Sequence, residues 1–116
     1  MKNIDERKSR YLLDSLPISM GGLAANLARV GSFAEHVGAK VAVIGLIEES
    51  KYFIEWTAIE FDILTTTELV DLQRRLALWH RTIDVIWEDD TKRLEISSQA
   101  KEISTRLLAK SGLLNQ

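Results

Sequence analysis

The chain has no cysteine, which excludes a disulfide framework, a thiolate-held zinc and a cysteine nucleophile together. Proline is nearly as scarce: Pro17 is the only one, so nothing beyond it forces a helix to stop. Only two histidines occur, His36 and His80. Three residues before them stand Phe33 and Ala77, so the Glu-x-x-His spacing of carboxylate di-iron bundles is missing. His-Glu-x-x-His is missing too, and neither a metal nor another cofactor is expected. An excess of one charge is also lacking: 15 Lys and Arg against 17 Asp and Glu leave a net charge of −2, with the two signs interspersed. No basic stripe for a phosphate backbone stands out, which argues against nucleic acid as a partner. The longest apolar run, VAVIGLI at 41–47, is far below the ~20 residues that span a bilayer. MKNIDERKSR at the N-terminus has no apolar core of a signal peptide. The expectation is a soluble, cytoplasmic protein of one domain with no membrane partner.

What is abundant is helical periodicity. Residues 4–15 can form a short charged helix. The residue before Pro17 is pushed out of the helical region, and Ser19 can cap the helix beyond it. Met20, Leu23, Leu27, Val30, Ala34 and Val37 step 3-4-3-4-3, which predicts a helix over about 19–37. The rhythm runs on through Val41, Ile44, Ile47, Lys51, Ile54, Ala58 and Phe61, so one long helix also fits. HVGAK favours a turn instead, with Gly38 as a left-handed C-cap and His36 in the preceding turn, and a second helix over about 40–60. Leu69, Leu72, Leu76, Trp79, Ile83 and Ile86 predict a third over about 66–88. Thr65 with Glu68 reads as its capping box, Thr66 and Thr67 being alternatives. Asp89 or Asp90 can cap a fourth helix over about 91–110, which carries Ile96, Ala100, Ile103 and Leu107 and a Glu102–Arg106 pair. Short turns between helices of this length favour antiparallel neighbours. The fold expected is all-α, an up-down-up-down four-helix bundle with a short N-terminal helical arm at 1–17. Ala24, Gly31, Gly38 and Gly45 recur every seven residues, a stripe on which another backbone can come close.

The segment EESKYFIEWTAIEF carries aromatics on more than one side. Ile47, Ile54, Ala58 and Phe61, widened by Leu46, Ser50 and Phe53, make the core side of the second helix, whereas Trp56 lies about 200° round from Ile54. Tyr52, Trp56 and Ile59 share that other side with Glu48, Glu49, Glu55 and Glu60. On the third helix Leu78 and Val85 stand off the seam beside Arg74, Arg75 and Arg81. An acidic-aromatic face and a basic-apolar face are complementary in sign and suit a homodimer or another protein partner. Two further readings fit the aromatic face. The first helix or the arm's Tyr11, Leu12 and Leu13 can cover it, or it can form a small-molecule groove; Trp79 and Trp87 are the candidates for a ligand pocket within the bundle. The reading preferred is a non-catalytic interaction or regulatory protein, with Tyr52, Trp56, Ile59, Leu78 and Val85 as its interface.

Arg29 and His36 have six residues between them, and Arg75 and His80 have four. These pairs resemble the Arg-x4-6-His motif of HEPN-domain ribonucleases, small all-helical proteins that set the pair at a dimer cleft to cleave RNA. The resemblance implies an arginine that holds phosphate and a histidine that moves a proton. Val30 and Leu76 follow the arginines where that family commonly has a polar residue, and Asp84, one turn after His80, offers it an ordinary surface pair. The segments GGLAANLARVGSFAEH, LIEESKYFIEWTA and LVDLQRRLALWHRTIDVIWED are similar to a family of small uncharacterised cyanobacterial all-helical proteins, over about residues 17–110. That similarity implies a helical bundle in the cytoplasm and brings no activity with it.

Overall fold

Pro17 does not break the chain where the sequence suggests. In the computed structural model, which describes residues 16–58 and 61–111, the first helix α1 (Leu16–Phe33) already contains it. A proline in the first turn sacrifices an N–H that has no helical partner anyway. Ser19 therefore lies inside α1, buried, and is not its cap. The other helices are α2 (Lys40–Thr57), α3 (Ile63–Ile86) and α4 (Asp90–Ser111), with one short 3₁₀ turn at Val37–Ala39 and no strand among the described residues. The all-α, four-helix expectation is met. Most of the arm, together with Ile59, Glu60 and Gly112, lies outside the described residues.

The turn after α1 is present, but not as expected. α1 ends at Phe33, His36 is extended at φ −117° and ψ 116°, and Gly38 sits within the 3₁₀ turn without a left-handed φ. The extended residue resets the helical phase, so the apolar rhythm across it is coincidental: Val37 and Val41 are exposed. On α2 the buried positions are Val43, Ile47, Ser50, Phe53, Ile54 and Thr57, so Ile47, Ser50, Phe53 and Ile54 lie on the core side as the sequence predicts. No side chain caps the start of α2. The turn is held from the far end of the chain. Trp87 Nε1 donates to Val37 O at 2.6 Å, and Arg93 Nε donates to Ala34 O at 2.9 Å. Arg93 is itself buried, with Nη1 also reaching Trp87 O at 3.1 Å and Asp90 Oδ1 at 2.8 Å and its guanidinium 5.9 Å from the Trp87 ring centre. One cation thus satisfies carbonyls at the C-terminal ends of two helices, where the helix dipoles favour positive charge.

α3 begins three residues earlier than the capping box suggested. Asp62 is the N-cap, accepting from Thr65 N at 2.8 Å, so neither Thr65 nor its neighbours cap the helix. A carboxylate takes this role readily because its charge also meets the positive end of the helix. The bond from the Thr65 N–H, then that from its hydroxyl, holds the Asp62 carboxyl below its ordinary pKa. Thr66 is left to donate to Ala58 O at 2.6 Å and Phe61 O at 3.2 Å, tying the turn between α2 and α3. Asp89 caps α4 through Lys92 N at 3.1 Å, and Arg106 meets Glu102 at 3.2 Å, both as expected.

The core joins Met20, Leu23, Leu27, Val30 and Ala34 of α1 to Leu69, Leu72, Leu76, Trp79 and Ile83 of α3, with Ile96, Ala100 and Leu107 from α4. α1 packs most extensively on α4, then on α2, whereas α3 and α4 barely touch. The α1–α4 seam is antiparallel: Gly31 O accepts from Ser97 Oγ and Ala24 O from Ser104 Oγ, both at 2.6 Å. A Cβ on Gly31 would stand 3.0 Å from Ser97 O, so close approach requires glycine there. The small-residue stripe serves only over its first half, since Gly38 and Gly45 have open space around them. α2 and α3 are also antiparallel, as Lys40 pairs with Asp84 at 2.5 Å and Lys51 O accepts from Gln73 Nε2 at 3.2 Å. Across α3 and α4, Lys110 pairs with Glu68 at 3.1 Å and Arg75 Nη1 donates to Gln99 Oε1 at 3.4 Å.

Candidate functional site

α3 has neighbours on both flanks and separates the residues that the sequence grouped. Between α2 and α3 lies a polar cleft of about 330 Å³ lined by Glu48, Lys51, Tyr52, Glu55, Gln73 and His80. Lys51 Nζ lies 3.4 Å from His80 Nδ1, and His80 Nε2 lies 3.5 Å from Glu48 Oε1. His80 is thereby engaged with α2, and Asp84, expected as its partner, pairs with Lys40. The Tyr52 ring stacks on Trp56 at 5.4 Å between centres, with 17° between planes.

Arg75 belongs to the opposite flank. It lines a second cavity, about 230 Å³, between α3 and α4, with Glu68, Asp71, Arg106 and an apolar floor of Leu72, Ile103 and Leu107. Five residues advance a helix by about 500°, which leaves Arg75 and His80 roughly 140° apart around α3. Arg29 donates to Asn26 Oδ1 at 3.2 Å on α1, whereas His36 lies in the turn beyond that helix. Neither Arg–His pair converges within one chain. No group of three His, Asp or Glu side chains converges as metal ligands would among the described residues. Nor is any described helix long and apolar enough to cross a membrane. Trp79 and Trp87 are packed into the core, 5 % and 1 % exposed, and neither lines either cavity.

The interface residues divide as well. Tyr52 faces the cleft, Ile59 lies outside the described residues, and Leu78 and Val85 stand on the outward face of α3. There they have company. Ile63, Thr67, Val70, Arg74, Leu78, Arg81 and Val85 step 4-3-4-4-3-4 along the helix, and every one is exposed. The four apolar members are exposed at 81 % for Ile63, 41 % for Val70, 47 % for Leu78 and 83 % for Val85. At 100° per residue this line is centred about 180° from the buried Leu69–Ile83 line. α3 therefore has two opposed apolar stripes, of which the bundle covers one. Ile63 escapes notice in the sequence because a helix starting at 66 leaves it outside, and without it Val70 is an isolated apolar residue near the helix start. Asp62, with Thr65 three positions on, is the signal that brings Ile63 into the helix.

Comparison with family models, curated proteins and solved structures returns no match. The resemblances to HEPN-domain ribonucleases and to the cyanobacterial family gain nothing from it and lose nothing.

Proposed function

We propose that this protein acts by binding: an up-down-up-down helical bundle that self-associates through the outward stripe of α3 and serves as an interaction or regulatory module. The observation that carries this reading is the second apolar stripe, since a helix in a small domain ordinarily buries one and turns polar residues to water. Antiparallel contacts across α1–α4, α2–α3 and α3–α4 support the up-down order. The aromatic pair on α2 is not part of this surface, because it stacks on itself beside the cleft, on a different flank of α3. Chemistry has no comparable support, as Arg75 and His80 line different flanks of α3, and Arg29 stands on α1 while His36 lies in the turn beyond it.

Light scattering over a range of concentrations tests the reading. The wild type is expected at twice the 13.1 kDa chain mass. Leu78→Glu is expected at the mass of one chain with helicity unchanged, and Trp56→Ala at the wild-type mass. A wild type that remains monomeric at every concentration would overturn the proposal.

A further inference from the structure

The outward stripe of α3 reads the same in both directions. Its steps of 4-3-4-4-3-4 are centred on Arg74, with Val70 and Leu78 four residues to either side and Ile63 and Val85 eleven to either side. Thr67 and Arg81 stand seven to either side. An isologous dimer needs a surface that is complementary to itself after a half-turn. A palindromic stripe on a helix meets that condition when two copies lie antiparallel.

Resting on the self-association proposed above, we infer that two copies pair antiparallel along α3 about a two-fold axis at Arg74. Ile63 then packs on Val85 of the second copy and Val70 on Leu78 of the second copy, each twice over. From residue 63 to residue 85 the contact runs about 33 Å at ~1.5 Å per residue. Alternating three- and four-residue steps are the spacing by which paired helices interlock.

Charge selects this orientation over the parallel one. Side by side in the same direction, Arg74 would face its own copy and Arg81 would do the same, and like charges so placed discriminate against an arrangement. Antiparallel, Arg81 meets the hydroxyl of Thr67, an acceptor suited to a guanidinium. Only Arg74 meets its copy. Its Nη1 lies 3.8 Å from Asp71 Oδ1, so each arginine brings an acid to the crossing. Asp84, on the other margin, is already engaged by Lys40. The central arginine also keeps the association from tightening as a continuous apolar line would.

The absence of cysteine makes the register directly measurable. Under mild oxidation Arg74→Cys is expected to link to itself, and Ile63→Cys mixed with Val85→Cys to give a mixed disulfide several-fold more abundant than either self-linked product. Thr67→Cys mixed with Arg81→Cys provides an independent pair should one of the first variants fold poorly, with helicity checked for each. If the wild type is dimeric but Val85→Cys links chiefly to itself, or Arg74→Cys does not link, the antiparallel register is overturned while the self-association stands. If the wild type is monomeric throughout, both fall.

Discussion

Two faces of the bundle invert the usual rule of burial, in opposite directions. Along α4, the seam against α1 buries Arg93, Ser97 and Ser104; along α3, the outer face exposes Ile63, Val70, Leu78 and Val85. The buried polar groups are tolerated because each has a backbone carbonyl within reach, and the carbonyls are within reach because α1 offers Ala24 and Gly31 at those levels. The exposed apolar groups have no such account among the described residues. Polarity alone says neither where the core is nor where a partner sits; what comes against each side chain decides.

Substitutions can break this contrast or sharpen it. Arg93→Ala should cost the most, about 3 kcal/mol, because it strips the hydrogen bonds from Ala34 O and Trp87 O at once. Chemical denaturation of the variant beside the wild type measures that loss. On the opposite face, Arg74→Leu should tighten self-association at least tenfold, since a leucine there completes the apolar line and removes the one facing pair of like charges; sedimentation equilibrium reads the change. Ser104→Ala should lower stability by about 1 kcal/mol, the net value of its bond to Ala24 O, without altering the mass. The smallest effect belongs to Asp62. Its carboxyl pKa is lower in the folded chain than its ordinary 3.8, so its stabilising contribution is complete above that pH and disappears as the pH falls through the folded value. The wild type should therefore melt above Asp62→Ala at neutral pH, the gap closing as the solution is acidified below 3.8.

Much of the fold was legible wherever one helix alone decides the pattern. The buried line of α3 from Leu69 to Ile83 followed from unbroken three- and four-residue spacing, and Asp89 from its place before an apolar run. The turn between α1 and α2 was legible only in position. Its stabilisers, Trp87 and Arg93, stand 50 and 59 residues away along the chain, and local capping rules cannot see them. Nothing local in the sequence marks Ser97 and Ser104 for burial, because their partner is the backbone of another helix. For the site, Leu78 and Val85 were visible as apolar residues off the seam. Relating them to Tyr52 and Trp56 needed the rotation of each helix about its axis relative to its neighbours, which spacing within one helix does not contain, whereas the roughly 140° between Arg75 and His80 was already legible in the five residues that separate them.

The Ser104–Ala24 bond joins residues 80 apart in sequence, and the seam it belongs to is the widest in the bundle. On the ribosome α1 is made first and α4 last, so the apolar side of α1 emerges long before the helix that covers it. With 78 residues between Phe33 and Ser111 and synthesis at ~5–20 residues per second, the interval is roughly 4–16 s. Through that interval Met20, Leu23, Leu27 and Val30 are held only by the hairpin with α2 and by α3, an apolar surface of the kind that chaperones engage during translation. Protease challenge of chains arrested before residue 90 would reveal it: if those chains resist cleavage as well as the 116-residue chain does, α1 does not wait for α4.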